Sequence, residues 1–391
     1  MGTENVLSSI VQDIYKAADV VGREQSGFVT GATINSGANG AAYGTNVAAA
    51  FTNTAAAVDI TPNNITPNAD NQTIDERFLT LNKQRGVQIG WNGEQKLQVA
   101  NRYGYETVYG DQIAQAMRTL TNEIEADLFA EASKNSSNAL VASGASTLVT
   151  DYTDAAFARK LLVDNGAPNN GEFQMVVDTL AGANIRSLEN HTKVNEAGVD
   201  SIARSGILVP MSGLAIRESA AISKHTIGDA SAAASTNDAG YAIGATLITL
   251  KSAGTGAILA GDFIKFDGDD NLYGVVSGDA DVSGGGTITL AEPGLKQAIP
   301  ASDTTLDVKE KANGAFTPAI AFHRAALELA IRPPAAAASD MATDRLTVVD
   351  TFSGLPFEIS VYPQYRQTFV EVACVWGVKA WKPEFISTIM G

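Results

Sequence analysis

The side chains able to do chemistry are few and scattered. The three histidines, His191, His225 and His323, are far apart in sequence, and none sits in an H-x-x-x-H pattern that would bring two ring nitrogens to one metal. The acidic run DGDDNL from Asp267 opens like a calcium loop. Its sixth position is Leu272 where such a loop needs glycine, and its twelfth is Gly278 where it needs a bidentate glutamate. GAILAGD from Gly256 has the frame of a phosphate-binding loop, but Asp262 stands in the lysine position, and a carboxylate there repels phosphate. No G-x-S-x-G is present, and the single cysteine, Cys374, lies in an apolar run where a thiol is inert. The expectation is no catalytic residue, no metal and no cofactor.

With no site to position, the elements themselves become the subject. The chain has 391 residues, 45% hydrophobic and 18% charged, with 27 basic against 43 acidic side chains and a net charge of −16. That balance argues against a sequence-independent DNA binder, which needs clustered Lys and Arg to release counterions. One cysteine excludes an internal disulfide framework. MGTENVLSSIVQD lacks the basic and long apolar regions of a signal peptide, and Val6 stands where a myristoylation motif wants Ser or Thr. No apolar run approaches the roughly 20 residues of a membrane span. The reading is a soluble, acidic protein made in the cytosol, with no membrane contact.

Residues 4–21 predict a short amphipathic helix. Residues 26–73 are Ala/Asn/Thr/Gly-rich. From Ile74 to Val99 alternation and the turn signal WNGE predict a long exposed β-hairpin arm. Ile113, Met117, Leu120, Ile124 and Leu128 then recur every three or four residues, predicting a helix over 106–133. A helix over 153–165, a buried strand over 173–178, a helix over 179–190 and short strands over 200–222 follow. Residues 223–316 differ from what precedes them. TLITL, FIKF, LYGVV, TITL and TLDV are short β runs between Gly/Asp/Ser turns, which predicts an inserted small barrel or sandwich. Afterwards AIAFHRAALELAI reads as a helix stopped by Pro333-Pro334, and LTVVD, FEISVY and FVEVACVWGVKAW read as strands.

The stretch 26–72 carries too few large apolar groups to fix its own backbone. A lone two-stranded ribbon is marginal as well. A chain with two such limbs and no active site reads as a subunit that completes its fold in an assembly.

VACVWGVKAWKPEFISTIMG (Val372–Gly391) resembles the end of tailed-phage coat proteins of the Salmonella short-tailed-phage type. Those close with an aromatic-Gly-Val, a small residue and a basic-Pro-Glu; Trp376, Gly377, Val378, Ala380, Lys382, Pro383 and Glu384 stand at those places. AIAFHRAALELAIRPP and TLKSAGTGAILAGDFIKFDG are similar to further segments of that family, in the same order. Two departures are visible. The N-terminal arm is unusually Ala/Asn/Thr-rich, and IGDASAAASTNDAGYAIG, with Asp229 and Asp238, is shorter and less charged than the family's loop to neighbouring capsomers.

The resemblance implies an α+β protein with the Hong-Kong-type phage capsid fold. Its parts would be an N-terminal arm (1–35), an E-loop or extended β arm (36–99), a peripheral domain with spine helix 106–133 plus the first part of the axial domain (100–222), an inserted β-barrel domain (223–316), and the remainder of both domains (317–391). It implies a non-enzymatic major capsid protein. Copies would form pentamers and hexamers of an icosahedral shell, made in the host bacterial cytoplasm with scaffolding and portal proteins. The shell would enclose double-stranded DNA without specific binding. The E-loop would lie on the adjacent subunit, burying Leu79, Leu81, Val87, Ile89 and Trp91, with Arg77, Lys83, Arg85 and Lys96 pairing with acidic neighbours. An encapsulin-like compartment and a secreted β-rich surface protein are the rival readings.

Overall fold

A computed structural model describes residues 22–59 except 38, 54, 56 and 58, then 72–100, 105–142, 152–188, 208–308, 314–337 and 340–391. The helix expected over 4–21 and the beginning of the 200–222 segment lie outside these residues, as does His191. The first half contains α1 (Gly27–Gly31), β1 (Thr33–Ser36), β2 (Asn46–Thr52), β3 (Ile74–Thr80), β4 (Lys83–Asn92), α2 (Gly93–Ala100) and the 30-residue α3 (Tyr105–Lys134). Then come β5 (Asn138–Val141), α4 (Tyr152–Asp164), β6 (Phe173–Val177), α5 (Thr179–Ser187) and β7 (Ala215–Glu218). The second half is almost wholly strand: β8 (His225–Thr226), β9 (Leu247–Leu250), β10 (Phe263–Phe266), β11 (Tyr273–Ser277), β12 (Gly286–Leu290), β13 (Leu306–Val308), β14 (Ala315–Phe316), β15 (Pro318–His323), β16 (Leu327–Arg332), β17 (Asp344–Val349), β18 (Pro356–Gln364), β19 (Gln367–Ala380) and β20 (Ile386–Met390). The class is α+β.

Two sheets carry the body. The first runs β1-β16-β19-β18-β17, with β4 also paired along β19 from Gln367↔Asn92 to Trp376↔Lys83. The apolar stripe of α3 lies on this sheet: Met117, Leu120, Ile124 and Leu128 are buried with Trp376, Cys374, Val372, Phe357 and Leu329. The second sheet runs β5-β20-β15-β6-β7, and α4 and α5 cover it through Ala155, Ala158, Leu162, Ala181 and Ile185.

Residues 247–308 carry a third sheet, β13-β10-β11-β12-β9, with its own core around Ile248, Ile264, Phe266, Val275 and Ile288, and β8 pairs with β14 beside it. Both edges of this sheet meet one short segment. Thr236 bridges Leu250 of β9, while Ser235 bridges Thr305 just before β13 and Leu306 N of β13 donates to Ala234 O, so the two edge strands share a partner segment. The arm is the fourth unit, a separate β2–β3 ladder from Asn46↔Thr80 to Thr52↔Ile74.

Two expectations are corrected. AIAFHRAALELAI is not a helix but β15, a 3-10 turn over Arg324–Ala326, and β16. β15 is buried along its whole length at the centre of a sheet, and a strand covered on both faces loses the alternation that distinguishes it from a helix. Nor do β3 and β4 form a hairpin. Each pairs elsewhere, and WNGE is a helix start rather than a turn. The Asn92 side chain accepts from Gln95 N at 2.8 Å while the Gln95 side chain accepts from Asn92 N at 3.1 Å, a reciprocal cap on α2.

Candidate functional site

With no metal-binding group of three or more His, Cys, Asp or Glu among the described residues, the candidate site is a surface, the arm and its root. The β2–β3 ladder has two unlike faces. Val47, Ala49 and Phe51 alternate inward with Leu79 and Arg77, and the Phe51 ring stacks on Trp381 at 5.1 Å. The Arg77 guanidinium lies 5.4 Å from the Phe51 ring and the Lys382 ammonium 5.5 Å, so one aromatic ring serves two cations. Arg77 also donates to the Trp381 carbonyl and pairs at 3.1 Å with Glu292, in the turn that follows β12. On the outward face Ile74 is 70% exposed and Phe78 46% exposed, with Ala48 and Ala50 exposed across the ladder.

The root of the arm is a close backbone crossing. A Cβ on Gly377 would stand 2.2 Å from the Thr80 carbonyl oxygen and 3.0 Å from Leu79 Cδ2. Glycine is needed there because the end of β3 crosses directly over β19, with no room for a side chain between the two backbones. Leu79 and Leu81 then fill a small core with Ala330, Val375 and Trp381.

The residues expected at intersubunit contacts have the following places in their own chain. Leu79, Leu81, Ile89 and Trp91 are buried within their own chain, the first two at the arm root and the last two under α3, so their apolar area is used before any neighbour arrives. Val87 is half-buried against the same core. Lys83 pairs with Asp127 at 2.6 Å and Arg85 with Glu123 at 3.6 Å, both on α3; Lys96 is half-buried on α2. The physical reason is the pairing of β4 with β19, which turns the supposed second arm strand into a wall of the body. Among the described residues of the ladder, Ile74 and Phe78 are the large apolar side chains turned to solvent.

The anchoring of the N-terminal segment carries no motif of its own, only the position of one acidic residue on α3. Glu125, one residue past Ile124 in the stripe, is 2% exposed. Its carboxylate accepts from Phe28 N and Val29 N at 2.8 Å each and from the Ser219 hydroxyl at 2.6 Å. Burial raises its pKa, and these donors oppose the shift. Phe28 inserts between Phe129 and Phe322. Glu24 pairs with Arg118, which together with Asn122 holds its carboxyl down to about 2, although burial works against that. Arg23 pairs with the buried Asp350 at 3.0 Å. The signal available in advance was position: 125 is four residues from Thr121 and three from Leu128, inside the buried face rather than beside it.

No protein-family model matches the chain, and no curated protein does. Solved structures do. The chain is similar to the capsid structure of the cyanophage P-SCSP1u at 12% identity and a TM-score of 0.50, over 99% of this chain and 95% of that one. It is similar to the mature capsid of bacteriophage PhiM1 at 10% identity and a TM-score of 0.50, over 97% and 91%. A virus-like particle from Pyrococcus furiosus superposes less well, at 9% identity and a TM-score of 0.41 over 94% and 92%. Over nearly its whole length the chain therefore has the fold of phage capsid subunits, the Hong-Kong-type capsid fold.

Proposed function

We propose that the chain is the major capsid protein of a tailed phage, a non-enzymatic building block whose copies close into an icosahedral shell around double-stranded DNA. The observation that carries this reading is the β2–β3 ladder. It is seated on its own chain at one face and presents Ile74 and Phe78 to solvent on the other. A subunit working alone gains nothing from an apolar outer face; a subunit in a lattice covers it with a neighbour. Individual contacts of this kind are weak, and repetition over many copies makes them sufficient. In this reading the ladder is the E-loop, α3 is the spine helix, the α3-bearing sheet is the peripheral domain and the β5–β7 sheet is the axial domain. The third sheet is an inserted β-barrel domain, supported by the shared edge partner at Ser235 and Thr236. Pentamers and hexamers, scaffolding and portal proteins, and assembly in the bacterial cytoplasm belong to the same proposal. The net charge of −16 suits a container whose lining must not trap DNA.

The test is direct. The full chain is expressed with and without candidate scaffold, fractionated by size exclusion, and the void fraction imaged by negative stain. Round shells support the proposal, and DNA rather than cargo enzyme inside them separates a virion from a compartment. A well-behaved monomer under every condition overturns it.

A further inference from the structure

The two main sheets are joined by two strand-to-strand connections that meet at one point. β15 of the second sheet passes through the 3-10 turn Arg324–Ala326 into β16 of the first. β19 of the first passes through the 3-10 turn Pro383–Phe385 into β20 of the second. Trp381 N donates to Ala326 O at 2.8 Å, so the turns are tied to each other. His323 sits between them. Its ring lies 6.3 Å from that of Phe385, at 73°, and 5.6 Å from that of Phe173, at 82°. The residue is 2% exposed.

The hydrogen bonds fix its protonation state. Ala325 N donates to Nδ1 at 3.2 Å, capping the first turn, so Nδ1 carries a lone pair. Nε2 therefore holds the proton and donates to Asn170 Oδ1 at 2.9 Å. A second proton has to enter on Nδ1, where it meets the Ala325 N–H head-on and removes the cap. We propose that His323 is a proton-operated lock on this double crossover: neutral, it fixes the turns that set one sheet against the other, and on taking up a proton it frees them.

The charged groups around the ring do not cancel this. Glu172, 3.8 Å from Nε2, favours the protonated form, but it is half exposed and also bonded to Asn170. Arg324 follows in sequence. Arg159 lies over Phe173 and donates to Asn169, and Lys382 and Glu384 pair with each other at 3.4 Å. Burial outweighs Glu172 and lowers the pKa of the ring. A lowered value means that the lock contributes stability above the ordinary histidine range. That contribution is lost as pH falls through about 6.5 toward the folded value.

The test is amide hydrogen exchange on the full chain at about pH 7.5 and about pH 5, corrected for intrinsic rates. Protection over 324–327 and 381–386 is expected to fall several-fold in the wild type. It should stay level in His323→Asn, whose side-chain oxygen can accept from Ala325 N without titrating. A level wild type, or an equal fall in the variant, overturns the proposal. Should the variant not fold, nitrogen NMR of the wild-type ring decides: a proton on Nε2 and a titration below the ordinary histidine value support it, while a proton on Nδ1 or a raised titration overturns it. None of these readings requires shells, so failure here is separable from failure of the capsid reading.

Discussion

The segments Gly27–Ser36 and Asn46–Thr52 belong to one compositionally poor stretch, yet the structure treats them differently. The first is sunk into the body. Phe28 and Val29 are fully buried, Glu125 caps their amides, and β1 lies parallel to β16 from Thr33↔Glu328 to Ser36↔Ile331. The second rests on one face and is open on the other. Composition alone does not separate them. What separates them is whether a few groups elsewhere, a phenylalanine pocket and a buried carboxylate, are positioned to receive the backbone.

The contrast can be broken in graded steps. Phe28→Ala should have the largest effect, a loss of about 3–5 kcal/mol in urea unfolding, because a fully enclosed ring leaves a cavity between Phe129 and Phe322. Exchange should rise over 27–36 and stay unchanged over 46–52; equal rises in both would erase the distinction. Gly377→Ala should cost about 1–3 kcal/mol by driving a methyl group into the Thr80 carbonyl. Here the pattern inverts, with protection lost on β2 and β3 and kept on β1.

Glu125→Gln should cost about 1 kcal/mol at most near pH 5, where the raised pKa favours the protonated carboxyl and the amide, like that acid, has one acceptor oxygen and one donor to place among the backbone N–H groups. Burial raises the Glu125 pKa, so its contribution is fully present below the ordinary glutamate value and is lost as pH rises through the raised one. The gap between wild type and variant in urea midpoints should therefore narrow with rising pH. Arg77→Ala should cost only about 0–1 kcal/mol, since its pairing with Glu292 is solvent-exposed. Phe78→Ser sharpens the comparison most while changing stability least, within about 0.5 kcal/mol. Unfolding should be unaffected and shell yield lost, and normal shells from this variant would remove the outward face from the assembly surface.

Much of this arrangement was legible in the residues. The α3 stripe, spaced by threes and fours, and the short runs FIKF and TITL carry periodicity or turn chemistry that local reasoning can read. β15 and β16 do not: Ala319–Phe322 and Leu329–Ile331 are buried throughout, and a run apolar in every direction does not report its period. The role of β4 was hidden for another reason. Its partner β19 lies far along the chain, and no local signal distinguishes a strand that joins a distant sheet from one that folds back on its neighbour. Glu125 was hidden because a carboxylate reads as surface unless its donors, on segments about a hundred residues away, are already known.

The strand order has a consequence for synthesis. β5 pairs with β20, β1 with β16 and β4 with β19, so three strands made early wait for partners made late. While the ribosome is still at work those edges stand open, and such distant pairings are slow to close. Both main sheets stay incomplete until β19 and β20 have left the ribosome, and until then the edges of β4 and β5 are open to pairing with other chains.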